Sequence, residues 1–161
     1  MSDKSVTSIV VAGLGGQGVL KSSDILAEAL FLTGQDVKKA EVHGMSQRGG
    51  SVASDVRFGE KVWSPMAPPG EADFLVVLSP DQVDVNRHLL REGGVLITPD
   101  AVNVDQLANK RSLNVALLGI LSAHLDSVSE EAWTTAIRNQ LGEKIVSDNL
   151  AAFALGRQTA V

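Results

Sequence analysis

The chain has 161 residues and a formal net charge of −5, with 44% hydrophobic and 20% charged residues. This composition is typical of a folded globular protein, and we expect a single domain over residues 1–161. The acidic balance argues against a nucleic-acid partner. Because the sequence contains no cysteine, disulfides, a thiol nucleophile and a cysteine-ligated iron–sulfur cluster are excluded from this chain.

The N-terminal sequence MSDKSVTS has no apolar core of a signal peptide. No later run approaches the ~20 apolar residues of a membrane-spanning helix. We therefore expect a cytoplasmic protein without a membrane partner.

The first half of the chain alternates strand-like and helix-like patterns. A short aliphatic run predicts a strand over residues 6–12, and helical spacing of apolar residues predicts a helix over residues 19–32. A second short run predicts a parallel strand over residues 36–42, as in a βαβ unit. Strict alternation predicts a half-exposed strand over residues 51–58, and residues 61–63 are its expected hairpin partner.

The second half begins with a strand over residues 72–78 and a helix over residues 81–91 that ends at the Gly93-Gly94 pair. Residues 95–98 form another expected strand. The polar stretch 100–112 has no clear pattern. Three helices are then predicted, over residues 115–125, 129–141 and 143–156.

Together these elements predict an α/β fold. We expect a Rossmann-like layered domain with a mainly parallel sheet, a hairpin after the second strand and a helical C-terminal part. The hairpin departs from a pure nucleotide-binding fold, in which a helix normally follows the second strand.

A glycine-rich loop connects the first strand to the first helix. Gly13, Gly15 and Gly18 have the G-x-G-x-x-G spacing in the strand-to-helix context that supports dinucleotide binding, and Glu41 lies near the position of a ribose-binding acid. One alternative is that the glycines only allow a tight turn and close packing. Gln17 could bond a neighbouring chain as readily as a ligand. The loop residues left as candidates for phosphate or partner contact are Gly13, Gly15, Gly16, Gln17 and Gly18.

A second candidate site lies in the loop between the second and third strands. Functional residues concentrate in loops held by a rigid scaffold, and the arginine could present its guanidinium to a carboxylate or phosphate. An interface or an internal ion pair with Glu41 is the alternative. The residues of this candidate interface or anion-binding loop are His43, Ser46, Gln47, Arg48, Gly49 and Gly50.

Three segments resemble the gamma-type subunit of 2-oxoacid:ferredoxin oxidoreductases. They are GLGGQGV at residues 13–19, SDILAEAL at residues 23–30 and EVHGMSQRGGSVASDVRFG at residues 41–59. The HGMSQRGG form is most similar to the beta subunit of indolepyruvate ferredoxin oxidoreductases. A looser similarity continues through Asn114, Leu118 and Gly119 to residues 149–156, while residues 100–112 are shorter than the resemblance leads us to expect.

The resemblance implies a fold of the pyruvate-ferredoxin oxidoreductase gamma-domain type and a function shared with a larger subunit. In that family, thiamine diphosphate on the larger subunit attacks the 2-oxoacid, and carbon dioxide leaves. Electrons pass through iron–sulfur clusters to ferredoxin, and coenzyme A takes the acyl group. The small subunit supplies neither the thiamine site nor the clusters, in agreement with the lack of cysteine.

We therefore expect no catalytic residue, no metal site and no firmly bound cofactor in this chain, which should be inactive alone. The glycine loop and Arg48 are expected to border coenzyme A or the partner. A homodimer of the isolated chain is left open. The alternative function is a self-sufficient NAD(P)-binding oxidoreductase that uses Gly13, Gly15, Gly18 and Glu41.

Overall fold

A five-stranded mixed sheet forms the centre of the described part of the chain, residues 5–44 and 49–160 of a computed structural model. Aliphatic runs and alternating segments form its strands, as their patterns predict. The strands are β1 (Val6–Leu14), β2 (Asp36–His43), β3 (Ser51–Gly59), β4 (Ala72–Val77) and β5 (Leu90–Ile97).

Helices connect and cover these strands. They are α1 (Val19–Phe31), α2 (Val83–Asn86), α3 (Leu113–Ser122), α4 (Glu130–Gln140) and α5 (Glu143–Thr159). Short 3₁₀ turns flank α2 at Pro80–Gln82 and Arg87–Leu89, and three more cross the polar stretch at Pro99–Ala101, Val104–Gln106 and Lys110–Ser112. Ser129 caps α4 as predicted, since its side chain accepts a hydrogen bond from the Ala132 N–H at 3.1 Å.

The strand order is β2-β3-β1-β4-β5. β1 pairs in parallel with β4, and β4 with β5, whereas β3 is antiparallel to both β1 and β2. Four strands therefore point one way and β3 points the other. The predicted α/β fold is confirmed, but β2 is not the neighbour of β1 as in a simple βαβ unit, because β3 lies between them.

The predicted hairpin partner at residues 61–63 is wrong. The antiparallel pairing after the second strand joins β2 to β3 instead. Both edges of β3 are already paired, with β1 on one side and β2 on the other, so no edge is left for a further strand. Val62 is fully buried, and its N–H donates to Asp36 Oδ2 at 2.8 Å.

The predicted helix over residues 81–91 is also too long. It is reduced to α2 and its flanking turns, and β5 begins at Leu90 and includes the Gly93-Gly94 pair that was expected to precede it. Leu90 pairs opposite Ala72 in β4. Arg91 Nε donates to Asp73 Oδ1 at 2.9 Å, a contact that joins β5 to β4. The segment from Leu90 onward is therefore part of the sheet and not of a helix.

Alternation along the strands divides the core between the two faces of the sheet. Ile9 and Val11 of β1 belong to the large cluster formed with α1, α3, α4 and α5. Val10 and Ala12 belong to a smaller cluster on the opposite face, packed against Val83 of α2 and Leu89 of the 3₁₀ turn that follows it. Helical segments thus cover both faces, as in doubly wound α/β domains.

The helix pair α3 and α5 packs unusually closely. Gly119 and Gly156 face each other at the crossing, and a Cβ at either position would lie 3.1 Å from an atom of the other helix's glycine. No helix in residues 5–44 and 49–160 has the length and apolarity that crossing a bilayer requires.

Candidate functional site

The glycine loop lies at the point where the chain connections leave the sheet in opposite directions. β1 leads through α1 toward β2, whereas the neighbouring β4 leads through α2 toward β5 on the other face. Leu78, just beyond β4, donates its N–H to the Ala12 carbonyl of β1 at 2.8 Å, which holds the two strand ends together. Such a switch point at the carboxyl ends of parallel strands is the usual ligand-binding position in this architecture.

Gly13 and Gln17 shape the inner side of the loop. The Gln17 side chain folds back, and its Oε1 accepts a hydrogen bond from the Leu14 N–H at 2.7 Å. A Cβ at Gly13 would come within 2.8 Å of that same oxygen and within 3.1 Å of Leu78 Cβ. Gly13 therefore permits the turn, and Gln17 stabilises it from within the chain.

The remaining glycines have different roles. Gly15 approaches the second loop closely, and its N–H donates to the Gly50 carbonyl at 2.9 Å. Gly16 and Gly18 have φ angles of 90° and 85°, a left-handed backbone that glycine adopts without strain. No atom lies within 4 Å of a Cβ placed at Gly16, so that residue faces open space. The loop therefore combines tight packing at Gly13 and Gly15 with an open surface at Gly16.

Asn114, in the first turn of α3, holds the start of α1. Its Nδ2 donates to the Gly18 carbonyl and to Ser22 Oγ, each at 3.2 Å. Ser22 Oγ in turn donates to the Gly18 carbonyl at 2.6 Å. Asn114 is 7% exposed and Ser22 is fully buried, so water does not compete for these bonds.

A cavity of about 540 Å³ opens between the glycine loop and the segment before α3. Its polar side has two cations, Lys110 and Arg111, in the 3₁₀ turn that precedes Asn114. Lys110 lies 4.0 Å from Asp105, with both side chains mostly exposed, and this pair is weak. Arg111 has no ion pair with any carboxylate that the structure describes. The remaining lining residues are Gly16, Gln17, Gly18, Leu78, Leu113 and Asn114.

This cavity has the chemistry of an anion site. Backbone N–H groups at the start of a helix are free of intrahelical partners, and the helix dipole favours negative charge there. Lys110 and Arg111 add positive charge on the opposite wall. The cavity therefore combines two cations with the N-terminal end of α1 at Gly18.

The second candidate loop meets the glycine loop from the other side. Gly15, His43, Gly49 and Gly50 line a small cavity of about 90 Å³. His43 is more than half exposed, and its Nε2 lies 3.8 Å from Glu41. The structure thus brings His43, Gly49 and Gly50 to the glycine loop. The other predicted members, Ser46, Gln47 and Arg48, lie outside the described residues.

Glu41 is not placed as a ribose-binding acid would be. It lies on β2, which β3 separates from β1 and its glycine loop. Its Oε1 accepts a hydrogen bond from Lys39 Nζ at 2.7 Å. Burial alone would lower the pKa of Lys39, but the hydrogen bonds and charges of Asp24 and Glu41 outweigh it and raise that pKa overall. Glu41 therefore belongs to a charged pair on the outer strand.

Sequence reasoning missed the cations of the site. Lys110 and Arg111 lie in a stretch without periodicity, and no recognised ligand-binding motif surrounds them in the sequence. The 3₁₀ turn beside Asn114 brings them to the glycine loop. One signal in the sequence could have indicated them. Lys110 and Arg111 are adjacent cations that shortly precede Asn114, a residue included in the family resemblance.

A family model described as pyruvate ferredoxin/flavodoxin oxidoreductase matches residues 8–159. The chain belongs to this family. It is 34% identical to the indolepyruvate oxidoreductase subunit IorB of Thermococcus kodakarensis, and the match covers 95% of each chain. That alignment spans 194 positions, more than the 161 residues here, so the Thermococcus kodakarensis subunit contains residues without a counterpart in this chain.

Solved structures agree with the family assignment. The gamma subunit of a keto/oxoacid ferredoxin oxidoreductase from Geobacter sulfurreducens superposes with a TM-score of 0.81 and 26% identity, covering 96% of this chain and 98% of that one. The fold is also shared with the 2-oxoglutarate:ferredoxin oxidoreductase of Magnetococcus marinus, with a TM-score of 0.84 and 22% identity. There the match covers 98% of this chain but 31% of the other.

The resemblance seen in the sequence is therefore confirmed: the chain is a gamma-type subunit of the 2-oxoacid:ferredoxin oxidoreductases. In the Magnetococcus marinus protein, the same fold is one part of a longer chain. The comparisons give no support to a self-sufficient NAD(P)-dependent enzyme, in agreement with the position of Glu41.

Proposed function

We propose that this gamma subunit serves an oxidoreductase that decarboxylates indolepyruvate or another arylpyruvate and forms the corresponding acyl-coenzyme A. We infer this substrate class from the match to an indolepyruvate oxidoreductase subunit along 95% of both chains. A larger subunit would hold thiamine diphosphate and the iron–sulfur clusters, since this chain has no cysteine for a cluster. Ferredoxin would receive the electrons through that subunit.

We further propose that the cavity at the glycine loop binds the phosphates of coenzyme A. Coenzyme A has a pyrophosphate and a ribose phosphate, and the cavity offers two cations opposite the N-terminus of a 13-residue helix. Phosphate oxygens pair well with a guanidinium, which can donate two parallel hydrogen bonds. Arg48 is proposed to contact the same ligand or the partner, because Gly49 and Gly50, the residues that follow it, lie beside Gly15.

Coenzyme A titration of the purified chain tests the anion site. We expect saturable binding that weakens roughly tenfold in Arg111→Ala, because a charge-assisted hydrogen bond is lost. Arg138→Ala removes an exposed arginine from α4 and is the matched control, with unchanged binding expected. NADH has a pyrophosphate but no additional ribose phosphate, and it should bind more weakly than coenzyme A. Equal affinity of the wild type and Arg111→Ala would contradict the assignment.

Copurification tests the partner. A tagged copy of this chain should retain a thiamine-diphosphate-containing subunit from its native extract, and the complex should reduce ferredoxin with indolepyruvate and coenzyme A. Pyruvate and 2-oxoglutarate are the comparison substrates. A complex that prefers either of them would overturn the arylpyruvate assignment and leave family membership intact.

A further inference from the structure

The cavity has two walls that come from distant parts of the chain. One wall is the glycine loop, around Gly18, and the other is the turn with Lys110 and Arg111. The residues that form these two walls, Gly16 to Gly18 and the Lys110–Arg111 turn, lie outside the strands and are not part of the sheet ladder. A ligand that contacts both walls therefore depends on whatever holds them at a constant separation.

Asn114 makes a direct hydrogen-bonded link between them. It follows Arg111 by three residues, and its Nδ2 donates to the Gly18 carbonyl and to Ser22 Oγ at 3.2 Å each. The Gly18 carbonyl also accepts from Ser22 N at 2.9 Å and from Ser22 Oγ at 2.6 Å. Both N–H bonds of the Asn114 amide are thus used, and both bind the first turn of α1.

The contact is also steric. A Cβ at Gly18 would approach Asn114 Nδ2 to 2.5 Å, so the asparagine occupies the space that any other residue at position 18 would need. Gly18 has no side chain that could cap the helix, and no side-chain cap bond is made there. The Asn114 amide therefore fixes a backbone carbonyl at the junction between the loop and α1.

We propose that Asn114 is a positioning residue for the ligand of this cavity. It holds the glycine loop and the Lys110–Arg111 turn at the separation that lets one phosphate-bearing ligand contact both. The inference rests on the proposed coenzyme A function for the identity of that ligand. The positioning itself concerns only this chain and can be measured without ligand.

The first measurement is backbone amide NMR of the free chain. In Asn114→Ala, the amides of Gly15, Gly16 and Gly18 should shift and exchange faster with solvent than in the wild type. Asn149→Ala is the matched control, because Asn149 is also 7% exposed but bonds within its own helix, to the Ile145 carbonyl. Loop amides that are equally perturbed in both variants would overturn the inference.

The second measurement is a double-mutant cycle with coenzyme A. Asn114→Ala should weaken binding roughly tenfold although it removes no charge, and Asn149→Ala should leave binding unchanged. In the Asn114→Ala background, Arg111→Ala should cost about threefold instead of about tenfold, because the arginine wall is no longer held in place. Additive losses would contradict the positioning role.

The two tests distinguish a wrong ligand assignment from a wrong role for Asn114. If the wild type does not bind coenzyme A, the proposed ligand is wrong, and the amide measurement still decides whether Asn114 positions the loop. If coenzyme A binds equally to the wild type and Asn114→Ala, the positioning inference is wrong and the ligand assignment stands.

Discussion

Gly18 is subject to two constraints at a single residue. Its φ of 85° disfavours any side chain, and a Cβ would also meet the Asn114 amide at 2.5 Å. Gly34, after α1, has nearly the same φ, 84°, but open space around it. Comparing the two positions separates the cost of a left-handed backbone from the cost of the contact with Asn114.

Gly34→Ala should lower the free energy of unfolding by about 1 kcal/mol, the usual cost of a left-handed alanine. Gly18→Ala should lose about 1–3 kcal/mol more, because the overlap with Asn114 adds to the backbone strain. Urea denaturation of both variants measures the difference. Equal losses would show that Asn114 moves away freely and does not hold the loop.

Asp55 of β3 is a carboxyl group that folding takes out of water. Burial raises its pKa above the ordinary 3.8, although a hydrogen bond from the Ala67 N–H and the charge of Arg57 oppose the shift. The folded state thus holds the proton more tightly than the unfolded state. The resulting stabilisation is present below the unfolded pKa and is lost as the pH rises through the folded pKa.

Asp55→Asn should therefore become more stable relative to the wild type as the pH rises from about 3 to about 7. Asparagine still accepts the Ala67 hydrogen bond but does not ionise, so it avoids the cost of a buried charge at the higher pH. Urea unfolding across this range gives the measurement. Asp126→Asn, in the exposed turn after α3, serves as the control, and an identical pH dependence in both variants would argue against the shift.

At the scale of the elements, the contact between α3 and α5 depends on the absence of side chains at Gly119 and Gly156. A methyl group at Gly156 would overlap the Ala116 carbonyl and approach Gly119 Cα to 3.1 Å. Gly156→Ala should therefore destabilise the protein by about 1–3 kcal/mol despite the better helix propensity of alanine. Gly142→Ala, at the N-cap of α5, has no atom within 4 Å of the new methyl group and should lose only the smaller amount expected for alanine at an N-cap.

Thermal unfolding of these two variants checks the expectation. A clearly larger loss in Gly156→Ala than in Gly142→Ala would assign the difference to the helix crossing. If Gly156→Ala matched the wild type, the two helices would have to separate at negligible cost, contrary to the packing described above.

Most elements were predictable because each one carries its own periodic pattern. The alternation of Val52, Ser54, Val56 and Phe58 identified β3, and the capping serine at position 129 identified α4. Pattern alone does not specify a strand's partners, so the insertion of β3 between β1 and β2 was missed. Helical signals at residues 81–91 were overridden by the pairing of Leu90 with Ala72.

Only one part of the candidate site was predictable from the sequence, because only that part is contiguous in the chain. The glycine loop is contiguous in sequence and has a known spacing, so it could be found without a structure. Lys110 and Arg111 reach it only through the fold, from nearly a hundred residues away, as does Asn114, whose bond to Gly18 spans 96 residues. Local patterns contain no information about such a contact.

At the scale of the whole molecule, the gamma subunit should have no oxidoreductase activity of its own. It has no cysteine to hold an iron–sulfur cluster, so the clusters of the proposed complex must lie in another subunit. We expect no reduction of ferredoxin by 2-oxoacid and coenzyme A when the chain is assayed alone, and restored reduction when the larger subunit is added. Absorbance of ferredoxin reports the result, and turnover by the isolated chain would contradict it.

The antiparallel strand in the middle of the sheet also constrains how the protein folds. β1 and β2 are consecutive along the chain but are not neighbours in the sheet. β3, which follows both of them in sequence, lies between them. β2 and β3 are close in sequence and can pair before long-range contacts form, whereas β3 joins β1 across a longer loop. The two strands should therefore dock as one unit. Pulse-labelling hydrogen exchange during refolding should show amides of the β2–β3 ladder protected together, before those between β3 and β1.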